Sequence, residues 1–334
     1  MSTISDRKIK HIELAELPES QMEAGGFDFF DLPYCALPEI SLENVSTAIQ
    51  LFGKHLDQPL IIASMTGGAD HAEFINRNLA IAAQECRVAL GVGSQRIMLK
   101  NKDARKSFSL VRKHAPDIFL FGNLGAVQLN YGVTIDDVRF LLDEIQADAL
   151  YLHLNPLQEA LQPEGDTNFT HLLAKISQLT EALEVPVFVK EVGHGIRGDV
   201  AVHLLEAGVK GVDVAGTGGT SWAWIEAQRG QTPEFNDWFK SFGIPTEQCL
   251  EEVSFLKNDA EFMLVASGGI RSPIEGLKAL FLGADIYSSA KPFLHAALKG
   301  EEECIRVIRA WQKGLQIALF SCGLEQLPEY SSSE

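Results

Sequence analysis

ALYLHLNPLQEALQPEGD, residues 149–166, begins as an unbroken apolar run and ends as a dense polar segment. Ala149, Leu150, Tyr151 and Leu152 lack the alternation of a half-buried strand, so they read as a strand covered on both faces. Beyond it, Leu172, Leu173, Ile176, Leu179 and Leu183 recur at helical spacing. Between strand and helix stand His153, Asn155, Gln158, Glu159, Gln162 and Glu164. One such loop, taken alone, does no more than connect its neighbours, or places carboxylates and a histidine as a metal hydrolase would. Its status depends on whether the same unit repeats.

The unit does repeat. From Pro59 the chain reads PLIIASMTGG, RVALGVGS, IFLFGNLGA, ALYLHLN, PVFVKEVG, GVDVAGTGG, EFMLVASGG and ADIYSSAKP, each an apolar strand ending in glycines or polar residues, each followed by an amphipathic stretch. Phe74–Cys86, Ala104–His114 and Ile135–Ile145 are predicted helices of this series. Eight such units predict an α/β chain folded as a (β/α)8 TIM barrel, with a doubly wound open sheet as the alternative. The barrel is expected over residues 59–325, preceded by a mixed N-terminal arm, 1–58, in which Gly25, Gly26, Pro33 and Pro38 break any long pattern. The longer stretch Gln228–Lys257, carrying Trp238, Phe239 and Phe242, reads as an insertion after strand six on the catalytic face. A last helix, Glu301–Phe320, closes the barrel, and residues 326–334, ending SSSE, are expected to be a disordered tail.

A formal net charge of −17 works against nucleic acid and anionic membrane as partners. Any phosphorylated ligand needs its own basic cluster; Arg7, Lys8, Lys10 and His11 form one, read either as a solvated tail or as an anion clamp. No stretch has transmembrane length, and MSTISDRKIKHIE is too polar for a signal peptide, so a cytoplasmic location is expected. The five cysteines are odd in number and form no CxxC pair, which suggests neither disulfides nor structural zinc.

In a barrel of this kind the site lies at the strand ends, and phosphate is commonly held after strands seven and eight. Gly268, Gly269 and Arg271 follow strand seven, Ala290 and Lys291 follow strand eight, and Gly216 to Ser221 follow strand six. Glycines bare backbone N–H donors to phosphate oxygens and the cations add charge, which points to a phosphorylated cofactor. Lys190, in the apolar run VFVKEVG, is predicted to face inward, as a Schiff-base lysine or as a cation against an electron-rich ring. Alternation sets it on the face opposite Glu191, which disfavours a plain ion pair between them.

These segments, with RKIKH (7–11), MTGG (65–68), GSQR (93–96), HLNPLQE (153–159), QPEGD (162–166), VKEVGHG (189–195), AGTGGTSW (215–222) and SGGIRSP (267–273), closely resemble the type 2 isopentenyl-diphosphate delta-isomerases, FMN-dependent enzymes of isoprenoid synthesis. The resemblance implies that Ser64, Met65, Thr66, Ser94 and Asn123 line the flavin, with Lys190 near its N1 and C2 carbonyl. It implies that Thr220, Gly268, Gly269, Arg271, Ala290 and Lys291 surround the flavin phosphate. Arg7, Lys8, Ser94, Gln95 and Arg96 would bind the substrate diphosphate. His153, Asn155 and Gln158 would contact substrate, and Glu159 would hold Mg2+. The implied reaction shifts a double bond by a 1,3-allylic proton transfer without net redox, with reduced FMN as acid–base group and NADPH as its reductant. A tetramer or octamer is also implied. The rival readings are an FMN-dependent 2-hydroxy-acid oxidoreductase, disfavoured because AGTGGTSWAW lacks a histidine, and a non-catalytic flavin-binding barrel, which leaves Arg7, Lys8, His153, Gln158 and Glu159 without a task.

Overall fold

The computed structural model describes residues 4–22, 27, 29–65, 70–230 and 232–328. Eight short parallel strands, Leu60–Ile62, Ala89–Gly91, Leu120–Gly125, Ala149–His153, Val187–Lys190, Gly211–Asp213, Met263–Ala266 and Ile286–Ser289, pair in chain order. The eighth bonds back to the first, so the sheet closes as a barrel and the open-sheet alternative falls. The strands read as continuous apolar runs because one face packs the barrel interior and the other packs the outer helices.

Large and small residues fill the interior together. Phe121 stacks on Tyr151 at 4.3 Å between ring centroids, and both meet Phe188 edge-on. Gly211 makes room for this arrangement: a Cβ there would lie 2.1 Å from the Phe188 ring. A hairpin, Ile49–Leu51 with Lys54–Leu56, closes the N-terminal end by burying Leu51 and Leu56 against the interior residues. Phe52 of its turn packs on Phe119 and Phe188, and Lys54 reaches Asp148 at 2.7 Å. This part of the N-terminal arm therefore supplies the barrel floor, since the lower aromatic ring would otherwise face water.

Helices wrap the outside. Asp70–Cys86, Arg105–His114, Ile135–Ile145, Leu172–Ala182, Gly198–Glu206, Pro273–Phe281 and Glu301–Ser321 follow the expected rhythm. Thr134 and Asp137 form a reciprocal capping box that starts the helix after strand three. The insertion after strand six consists of Trp222–Gly230, Pro233–Phe239, Thr246–Ser254 and a short 3-10 turn, Phe255–Asn258. No helix among the described residues is long and apolar enough to cross a membrane.

The N-terminal residues 4–16, part of the expected arm, carry the basic patch. They form a helix, Ile4–Glu16, laid over the C-terminal mouth of the barrel against Trp222–Gly230 and Lys291–Ala297. Leu14 packs with Trp224 and Ile225, and His11 meets Trp222 edge-on at 5.2 Å, so the basic patch rides on an anchored helix rather than a loose arm. Gly25, Gly26 and the last residues, 329–334, lie outside the described residues.

Candidate active site

The strand ends and the N-terminal helix enclose one pocket at the C-terminal face of the barrel. Register decides which side chains enter it: Gly125 pairs with His153, His153 with Lys190 and Lys190 with Asp213, so these residues form one layer above the aromatic core. Asn123, two residues before Gly125 on strand three, also faces the pocket.

His153 Nδ1 lies 2.9 Å from Asn123 Oδ1. Burial, with the Lys190 charge adding to it, pushes the imidazole pKa down to about 3, so the ring is neutral near pH 7. Asn123 is held by its own amide, which donates to the Val92 carbonyl at 3.1 Å, and by its backbone N–H, which donates to Gln95 Oε1 at 3.0 Å. Gln95, expected at the diphosphate, is wholly buried, donates to the Leu141 carbonyl at 2.7 Å and braces strand three from behind. Its neighbours Ser94 and Arg96 do line the pocket.

Lys190 enters the pocket and donates to the Glu191 carbonyl oxygen at 2.8 Å. The Glu191 carboxylate turns away and accepts from the backbone amides of Val192, Gly193 and His194. The charge facing Lys190 is Asp213, a buried carboxylate on the next strand that also accepts from Ser267 Oγ. Burial lowers the Lys190 pKa while Asp213 raises it; burial raises the Asp213 pKa while Lys190 lowers it. Each charge therefore supports the other where desolvation opposes both.

The polar segment after strand four forms a short helix, Pro156–Leu161, with Asn155 at its N-cap. Asn155 Nδ2 is shared between Gln158 Oε1 at 3.0 Å and Glu159 Oε1 at 3.1 Å. Glu159 Oε2 accepts from the Asp166 backbone N–H at 2.7 Å, and burial, foremost, raises its pKa. Gln158 Nε2 donates to Glu226 Oε1 at 2.9 Å. Glu226 is completely buried and is also approached by His11 at 3.0 Å and by Arg229. Burial alone would raise its pKa, but these partners hold it below the ordinary carboxylate value. Arg7 and Arg229 share Glu164, at 3.6 and 2.6 Å, and Arg96 pairs with Asp166 at 2.7 Å. Lys8 reaches the Ser94 carbonyl at 3.4 Å, and burial, with Arg7 adding, pulls its pKa down to about 7.

The other wall is built from tightly folded glycines. Gly218, Gly268 and Gly269 have φ of +121°, +94° and +83°, and a Cβ on Gly268 would fall 2.1 Å from the Gly216 carbonyl oxygen. Thr246, from the insertion, braces this wall by donating to the Gly268 carbonyl at 2.7 Å. Thr220, Ala290, Lys291 and Arg271 line it, but the two cations also tie down the N-terminal segment: Arg271 donates to the Met22 and Gly218 carbonyls, and Lys291 to Leu17. Ser64 and Met65 line the pocket, and the buried Ser64 hydroxyl has no partner among the described residues. Thr66 lies outside the described residues.

A planar, phosphate-bearing group suits this wall, which offers a buried ammonium, an unsatisfied hydroxyl and backbone amides bared by glycine. For a metal the provision is smaller. Among the described residues no cluster of three or more His, Cys, Asp or Glu is preassembled, so a divalent ion would take Glu159 together with oxygens of a bound anion. Glu226, Arg229 and Asp213 escaped the sequence reading. Two carried a signal there, because each is a lone carboxylate in an apolar run, WAWIEA and GVDVA, and a buried charge requires partners.

The FMN-dependent dehydrogenase family matches residues 149–334. An isopentenyl-diphosphate delta-isomerase of Synechococcus sp. is 49% identical over 306 residues, covering 90% of this chain and 87% of the relative. That of Synechocystis sp. is 45% identical over 335 residues, covering 98% and 95%. Among solved structures, a flavocytochrome b2 variant with sulfite bound superposes with a TM-score of 0.70 at 16% identity over 96% of this chain and 80% of that one. A mandelate oxidase mutant with benzaldehyde gives 0.68 at 17%, over 96% and 91%. These two share the barrel, and at such identity they speak to the fold alone.

Proposed function

The chain belongs to the isopentenyl-diphosphate delta-isomerase family, and from that premise we propose how its residues interconvert isopentenyl and dimethylallyl diphosphate on an FMN-dependent barrel. The observation that carries the reading is the juxtaposition, across one pocket, of a buried Lys190 and glycine wall with the cationic group Arg7, Lys8 and Arg96 and the amide–carboxylate chain Asn155, Gln158, Glu159 and Glu226. FMN fits the first wall, with Ser64, Met65, Asn123, Lys190, Thr220, Gly268 and Gly269 around it; Thr66 is proposed there on sequence grounds only. When bound and reduced, it supplies an electron-rich ring face and a proton-exchanging nitrogen to a reaction with no net oxidation.

The chain's own residues do the rest. The hydrocarbon offers little to hold, so binding falls to the diphosphate, gripped by Arg7, Lys8 and Arg96 with Mg2+ at Glu159, reversing locally the field of a chain with net charge −17. Lys190, whose charge Asp213 supports against desolvation, would favour negative charge on the ring beside it. Gln158 is no base; held by Asn155 and Glu226, it orients substrate over the ring. Protonating the alkene builds cationic character at a tertiary carbon, which calls for keeping water and basic groups away from that carbon. We propose NADPH as reductant, a cytoplasmic setting and assembly into a tetramer or octamer, to which the exposed Phe29, Tyr34 and Trp238 would contribute.

The experiment is purification with FMN and assay before and after reduction. Yellow protein that isomerises isopentenyl diphosphate only once reduced is expected. Equal activity with oxidised flavin, or with none, rejects the reading.

A further inference from the structure

We infer that Asn123 fixes His153 as the neutral tautomer carrying its proton on Nδ1, so that an Nε2 lone pair faces the pocket and His153 accepts a hydrogen bond from a bound ligand instead of donating a proton. The role rests on the functional reading above; the tautomer does not. Asn123 Nδ2 donates to the Val92 carbonyl at 3.1 Å, and a flipped amide would set two acceptor oxygens against each other there. Its Oδ1 is therefore the atom 2.9 Å from His153 Nδ1, and an acceptor in that position requires Nδ1 to bear the hydrogen. Gln95, itself anchored to Leu141, holds the Asn123 backbone in place, and the Val92 carbonyl fixes which way the amide faces.

The surroundings agree. Gly125, level with His153, leaves the far edge of the ring open; a Cβ there would lie 3.0 Å from Nε2. The charged group facing the ring is Lys190 from strand five, and Asn123, Gly125 and Gln128 from the strand-three side are neutral. A second positive charge beside Lys190 is unfavourable, in accord with the depressed imidazole pKa. Isopentenyl diphosphate offers Nε2 only hydrocarbon and acceptor oxygens. Beside the Lys190 ammonium, which already donates to Glu191, the donor we assign to the lone pair is a ring N–H of the cofactor, which makes His153 a reader of the flavin and not of the diphosphate.

The test uses 15N-histidine-labelled, FMN-loaded protein, with His153 assigned among nine histidines by difference against His153→Gln. A neutral ring with Nδ1 protonated through neutral pH is expected, and its Nε2 resonance should differ between the FMN-loaded and FMN-depleted protein while ignoring added inorganic diphosphate. An Nε2-protonated ring, an imidazolium at neutral pH, or a response to diphosphate alone overturns the inference. Asn123→Asp sets a carboxylate at Nδ1 and should lift the ring's protonation into the accessible range, adding an acidic limb to the pH profile; an unchanged titration also overturns it. Should that variant not fold, the wild-type spectra decide. They are read without turnover, so their outcome is separate from that of the isomerase assay.

Discussion

Replacing Lys190 by Met removes the charge that opposes Asp213 across the register of strands five and six. Asp213 is 3% exposed and keeps neutral donors, the Ser267 hydroxyl among them, but these do not replace an ammonium. Its pKa, already raised by burial, rises further. A carboxyl that is easier to protonate when folded leaves stability intact below its unfolded pKa of about 3.9 and loses it as pH climbs toward the folded value. Breaking a buried pair from one side costs about 3–5 kcal/mol at the upper end of that climb. With an unfolding entropy of about 2.1 cal/mol/K per residue, a 334-residue chain loses roughly 4–7 °C in Tm. Thermal unfolding of FMN-depleted Lys190→Met and wild type, followed by circular dichroism across pH, measures this without flavin binding entering the balance. Adding Asp213→Asn should restore most of the lost stability without restoring FMN affinity, a non-additivity of about 2 kcal/mol or more. A deficit that does not vary with pH, or that the second substitution leaves untouched, refutes the reasoning.

Three further outcomes follow from the same geometry. Because Lys8 sits at a pKa of about 7 and a bound anion would restore its charge, calorimetry should show affinity for inorganic diphosphate falling by up to about tenfold per pH unit above 7, and Lys8→Arg should flatten that dependence relative to wild type. Glu159→Gln should raise the Mg2+ concentration for half-maximal activity by about tenfold or more; an unchanged requirement places the metal elsewhere. Gly268→Ala must hold φ near +94° and push its Cβ away from the Gly216 carbonyl, so fluorescence titration should show FMN affinity reduced about five- to thirtyfold from a strain of about 1–2 kcal/mol, and unaltered affinity would contradict the packing described for that wall.

The barrel was legible because strands covered on both faces print as unbroken apolar runs, and ALYLHLN, PVFVKEVG and EFMLVASGG all do so. The floor was not: Ile49–Leu51 and Lys54–Leu56 are too short to show a period. The N-terminal helix hid for a related reason, its Ile9, Ile12 and Leu14 scattered among charges while tertiary contacts with Trp222 and Trp224 define its face. In the site, Lys190 was found because a cation interrupts an apolar strand. The same argument, applied to Asp213 and Glu226, would have found its partner and the anchor of Gln158. The burial of Gln95 was not legible because GSQR puts three polar residues in a row, and only the turn into the helix Arg96–Lys100 decides that the middle one points into the protein.

Whether this chain moves a proton at carbon is read most directly by incubating the reduced, FMN-loaded protein with isopentenyl diphosphate in deuterated water and examining the product by mass spectrometry and NMR. Dimethylallyl diphosphate bearing deuterium in the newly formed methyl group, with FMN still reduced at the end, is the predicted result. An oxidised product, flavin consumed in proportion to turnover, or dimethylallyl diphosphate formed without deuterium from solvent would contradict it.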